Sequence, residues 1–159
     1  MTAAEAGNVA TIDSSNEQSV RRLIENCGLH LRIMPNGQSI PGSFWGEPEA
    51  GLIGDRLFIR RDTPIHSILH ETCHYLCMDA TRRADLHTNA GGDYDEENAV
   101  CYLQLLLADQ IKDFGQDRCM RDMDAWGYSF RLGSARAWFE NDAEDARDWL
   151  VERGLIEDR

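Results

Sequence analysis

The chain has 159 residues, enough for one domain with its own hydrophobic core. Its formal net charge of −12 argues against a nucleic-acid partner, which calls for a basic patch. It has no run of eighteen apolar residues and a polar stretch over residues 1–19, so neither a membrane span nor a signal peptide is expected. Five cysteines, an odd number without framework spacing, read as reduced thiols, and the expected location is the cytoplasm.

In chain order, residues 1–16 read as a flexible arm and residues 17–159 as a single domain. Residues 17–26 form a helix ended by Cys27-Gly28, and residues 29–34 alternate apolar and polar as a strand does. Residues 39–54 carry loop signals, with Phe44 and Trp45 suggesting a short second strand; Leu57, Phe58 and Ile59 make a third. Thr63-Pro64 is an N-cap followed by proline at the first helical position. Ile65, Ile68, Leu69, Thr72 and Leu76 then recur at helical spacing. Residues 80–92 form a polar connection to a helix with an acidic start at residues 93–107. A further helix covers residues 114–123, and Trp126, Tyr128 and Phe130 alternate as a strand or an aromatic wedge would. Asn141 or Asp142 caps a last helix, whose Ala143, Ala146, Trp149 and Leu150 share one face.

The first of the two central helices carries His70-Glu71-Thr72-Cys73-His74, an HExxH motif. Chance supplies such a pentapeptide in roughly one chain of this length in a hundred, so context decides. His70 and His74 lie four apart on one helix face, roughly 140–180° from the apolar stripe, where both can reach one metal ion. Glu71, one position round, is placed to take a proton from a metal-bound water. His66, one turn earlier, reads as a solvated or supporting residue rather than a ligand. Two histidines need a third protein ligand. The metzincin pattern requires His at position 80 and Gly at 77, which are Ala80 and Cys77, and His87 fits no ligand spacing. The acidic start of the next helix remains. There Ala99, Val100, Leu103, Leu107 and Ile111 form a stripe with Glu96 at its centre and Glu97 about 100° away, so phase favours Glu96 over Glu97. A capping box between Asp93 and Glu96 is the rival account of that glutamate.

These residues resemble the gluzincin-type metallopeptidases, in particular the ImmA/IrrE-like minimal zincins. The resemblance spans residues 51–110: a strand at 54–61, the metal helix at 67–76, and a ligand helix from Glu96 through Tyr102, with Val100 where the family usually has Asn or Asp. It implies an α+β zincin-like fold, with a small, mainly antiparallel sheet packed against the HExxH helix and further helices across a cleft. It also implies Zn²⁺ held by His70, His74 and Glu96, and an extended substrate paired along the strand at residues 57–59. The expected reaction is peptide hydrolysis by a zinc-bound water that Glu71 activates, with a partner for the developing oxyanion among Tyr75, Tyr94, Tyr128 and His87. The substrate is a protein or peptide, and the resemblance implies a transcriptional repressor. The competing expectation is a zincin-fold binding or regulatory module with a structural metal, and a chance motif without metal is the third.

Overall fold

The computed structural model describes residues 8–43, 46–85 and 92–158. It is a mixed α/β fold in which helices α1 (Glu17–Asn26) and α2 (Ile65–Cys77) flank three strands in the sequence. The strands are β1 (His30–Ile33), β2 (Gly51–Ile53) and β3 (Arg56–Ile59). After α2 come α3 (Ala80–Ala84), α4 (Tyr94–Ala108), α5 (Gly115–Trp126), α6 (Ala135–Asn141) and α7 (Glu144–Glu152). No helix among the described residues is long and apolar enough to cross a membrane.

The sheet has the order β1-β3-β2 and is mixed rather than mainly antiparallel. β2 and β3 form a two-residue hairpin at Gly54-Asp55, where Gly54 takes the positive φ that such turns require. The chain between β1 and β2 then crosses to the far side of β3, which leaves β1 parallel to it, with Leu31 beside Leu57 and Ile33 beside Ile59. β3 is therefore the middle strand. Both its edges are taken, so residues 57–59 cannot pair with an extended peptide as the sequence suggested. The expected strand at Phe44 and Trp45 lies outside the described residues.

Leu31, Leu52, Leu57 and Ile59 turn one sheet face inward, onto Ile65, Ile68 and Leu69 of α2. Burying each such aliphatic side chain stabilises the fold by roughly 1.5–3 kcal/mol. α2 is enclosed on nearly every side, because α4 packs against its other flank. Its start differs by one residue from the expectation. Pro64 is the N-cap, and the Thr63 hydroxyl accepts from the Arg60 amide instead, closing the turn before the helix. The first amide of α2, at Ile65, donates to Ala10 O at 2.9 Å, which satisfies one of the unpaired groups every helix start carries.

That contact also ties down the described part of the expected arm. Thr11 bridges to Pro64, Ile12 is buried in the core, and the Ala10 amide donates to Asp122 of α5 at 2.8 Å. At the other end of the chain, the expected last helix is α7, which starts at Glu144, and α6 before it is a helix the sequence reading did not include. Ser134 caps α6 through its hydroxyl, and α7 follows with Ala146 and Leu150 buried. α7 packs on α4, so that α4 is held between α2 and α7. The connection at residues 80–92 includes the short α3, capped by Asp79, and its residues 86–91 lie outside the described ones.

Candidate metal centre

Because α4 is buried on two sides, it has two apolar stripes. Ala99, Val100 and Leu103 meet Cys73 and Cys77 of α2 and Leu150 of α7. Cys101, Leu105 and Ala108 face the main core instead. Glu97 stands one turn before Cys101, on the second stripe, and Glu96 belongs to the first.

His70, His74 and Glu97 offer three ligand atoms within 4.8 Å of one another. His70 Nε2 lies 2.9 Å from Glu97 Oε1, and His74 Nε2 lies 3.1 Å from Glu97 Oε2. The two imidazoles stand nearly perpendicular, their centroids 4.7 Å apart. The pair of histidines thus converges as the motif suggests, and the third member is Glu97 rather than Glu96. The phase argument correctly put Glu96 in a buried position but gave it the wrong partner. Glu96 is 3% exposed and accepts from Arg82 Nη1 of α3 at 2.8 Å. The Asp93 side chain also accepts from the Glu96 amide at 2.8 Å, so the capping half of the rival reading is present. Gly92, at positive φ, lets the chain pass close by; a Cβ there would run into the Glu96 carboxylate.

The two imidazoles and one carboxylate are hard and borderline donors of the kind zinc takes, with both histidines presenting the same ring nitrogen. Electrostatics agree with the geometry. Burial opposes ionisation of Glu97, but hydrogen bonds from His70 and His74 hold its carboxyl well below the usual range. Burial likewise opposes protonation of His70, yet the Tyr128 hydroxyl, the Cys101 thiol and Glu97 keep its pKa well above the ordinary imidazole value.

Glu71 is 7% exposed, and its Oε2 has no hydrogen-bond partner among the described residues. Burial pushes its carboxyl above the usual range, offset in part by His70 and His74. An unpaired buried carboxylate oxygen is costly, so its retention beside two imidazoles points to use rather than packing.

His70, Glu71 and Glu97 line a cleft of about 580 Å³. One wall is the stretch through Glu49 and Ala50, docked on α2 by the Ala50 amide donating to Ser67 Oγ at 2.9 Å. Opposite stand Trp126 and Tyr128, at and just beyond the end of α5. The Trp126 indole N–H donates to Glu49 Oε1 at 2.7 Å and so joins the two walls. Trp126, Tyr128 and Phe130 form a wedge rather than a strand, with the Tyr128 and Phe130 rings stacked.

Of the four proposed oxyanion partners, Tyr128 lines the cleft. Tyr75 lies under Arg83, Tyr94 is 68% exposed elsewhere, and His87 is outside the described residues. The Tyr128 hydroxyl and His66 Nδ1 are 3.2 Å apart. Of the two roles expected of His66, solvated or supporting, the solvated one is ruled out. His66 is fully buried, and burial aided by the His70 charge pushes its pKa down to about 3, so it is neutral.

Sequence reasoning missed Gln104 and Glu49. For Gln104 a signal existed: a polar residue on a helical row that runs Glu97, Cys101, Gln104, Ala108 is conspicuous among apolar neighbours. Glu49 sits in a loop, where no periodicity marks it. No family model matches the chain, and neither the curated proteins nor the solved structures contain a match to it.

Proposed function

We propose that the cleft is the active site of a zinc-dependent peptidase, with His70, His74 and Glu97 holding the metal and Glu71 as general base. The observation that carries this reading is the convergence of the three donors at one open cleft beside buried Glu71, whose Oε2 has no partner among the described residues. A metal that served stability alone would have no use for Glu71 in that position.

Bound zinc supplies a Lewis acid that polarises the scissile carbonyl and brings the pKa of water to roughly 7. Glu71 takes the proton of the attacking water on its carboxylate and passes it to the leaving amide nitrogen. Its raised pKa suits both halves of that transfer. Tyr128 turns its hydroxyl from His66 Nδ1 to donate to the oxygen that gains charge. Trp126 and Tyr128 keep water from one side of the bound peptide, which lies along residues 46–50 rather than against β3.

Glu47, Glu49, Glu71 and Glu97 line the cleft, and no lysine or arginine does among the described residues. Neutral or basic substrate residues are therefore favoured near the scissile bond over acidic ones. The ImmA/IrrE resemblance supplies the zincin-like fold assignment and a cytoplasmic transcriptional repressor as the substrate class. The test is zinc-loaded wild type against Glu71→Gln on a mixture of fluorogenic peptides. Cleavage by the wild type, lost in a variant that keeps its zinc, is the expected result. Cleavage unchanged in Glu71→Gln would overturn the reading.

A further inference from the structure

Gln104 is completely buried on α4, and both ends of its amide are engaged by α2. Its Nε2 donates to the backbone oxygen of His66 at 2.7 Å, and its Oε1 lies 3.1 Å from His70 Nδ1. These two contacts together define protons that neither defines alone. A backbone carbonyl can only accept, so the amide end facing His66 O must be the NH₂ group. The end facing His70 is then the oxygen, which can only accept as well. His70 Nδ1 must therefore keep a proton whether the ring is charged, as it is beside Glu97, or neutral, and when the ring gives up its second proton to a metal the lone pair belongs to Nε2. Nε2 is the atom beside Glu97 Oε1, where the three donors converge.

We infer that Gln104 is a positioning residue: it fixes the tautomer and ring plane of His70 and so presents Nε2 as a ready donor to a metal. This rests on the metal reading of the same cleft. The His66 carbonyl and the His70 ring lie on one turn of α2, so a single amide spans both and registers α4 against α2 at the site. The Cys101 thiol also lies beside His70, but a thiol is a weak acceptor and cannot dictate the tautomer as an amide oxygen does. His74 differs. Among the described residues its Nδ1 is buried without a partner, so of the two histidines only His70 has its Nδ1 held by a side chain there.

Two variants separate positioning from packing. Gln104→Met keeps the volume and removes both hydrogen bonds. Gln104→Glu keeps an acceptor for His70 Nδ1 and sets a carboxylate against the His66 carbonyl. Zinc affinity is measured by chelator competition, and the His70 Nδ1–H is followed by proton–nitrogen NMR in the metal-free protein.

Positioning predicts that Gln104→Met weakens zinc binding roughly 10–100-fold and speeds exchange of that proton, while Gln104→Glu stays close to wild type in both. A packing role predicts the reverse order, with Met tolerated and Glu worse, and that order would overturn the inference. So would a Met variant with wild-type affinity and an unchanged Nδ1–H signal. A wild type that takes up no zinc, yet shows the protected Nδ1–H that Gln104→Met loses, would remove the metal reading and leave Gln104 as the residue that orients His70.

Discussion

Glu96 and Glu97 are neighbours on the first turn of α4, yet they serve opposite sides of the helix. Glu96 faces outward from the cleft into a groove with Cys77, Trp149 and Arg153, where it is buried against the Arg82 guanidinium. Glu97 faces the cleft, half-exposed, between two imidazoles. A buried carboxylate needs one strong partner, and Arg82 meets that need with a charge of fixed sign. Glu97 has instead partners that can lose their protons, so its surroundings can trade protons for a metal ion. The lesson is that burial alone does not single out a ligand. The partner's chemistry does.

The comparison implies that variants on the cleft side change chemistry and variants on the outer side change stability. Glu71→Gln carries the largest expected effect, a fall of roughly 10²–10⁴ in peptide turnover with zinc content unchanged. Tyr128→Phe follows, with turnover down roughly 10²-fold and zinc again retained, since it removes one donor to the developing charge. On the outer side, Glu96→Ala costs about 1–3 kcal/mol in urea unfolding while leaving zinc affinity intact, because it removes the buried partner of Arg82. Loss of zinc in that variant would break the division between the two sides.

The smallest expected effect is on pH dependence, in the metal-free protein. Glu97 has a depressed carboxyl, so its contribution is present above the ordinary value of 4.5 and fades as pH falls through the lower folded value. His70 has a raised pKa, so its contribution is full below 6.5 and fades as pH rises through the higher folded value. Both act together between those two ordinary values. The urea midpoint should peak in that window and fall on either side, and Glu97→Gln should flatten the profile. A peak that survives in Glu97→Gln would show that the cluster does not set it.

The site was legible in the sequence up to one helical position. His70, Glu71 and His74 announce themselves by spacing, and Pro64 marks the helix start within one residue. Glu97 did not, because a helix clasped by α2 and α7 presents two apolar rows, and the longer row belongs to the wrong face. The parallel placement of β1 left no local trace either, since it depends on where a long connection crosses the sheet. The extra helix α6 was hidden for a different reason. It is only seven residues long, too short to show a helical period, and it ends at Asn141, beside the place where the last helix was expected to begin. Tyr128 reaches the cleft through the turn after α5, which no period in the sequence specifies.

The most direct test of the account is the zinc content, after loading and dialysis, of wild type, Glu97→Gln and Glu96→Gln. The account predicts one zinc per chain in wild type and in Glu96→Gln, and a large loss in Glu97→Gln. Zinc lost from Glu96→Gln but kept by Glu97→Gln would contradict the assignment of the third ligand, and a wild type without zinc would contradict the metal centre itself.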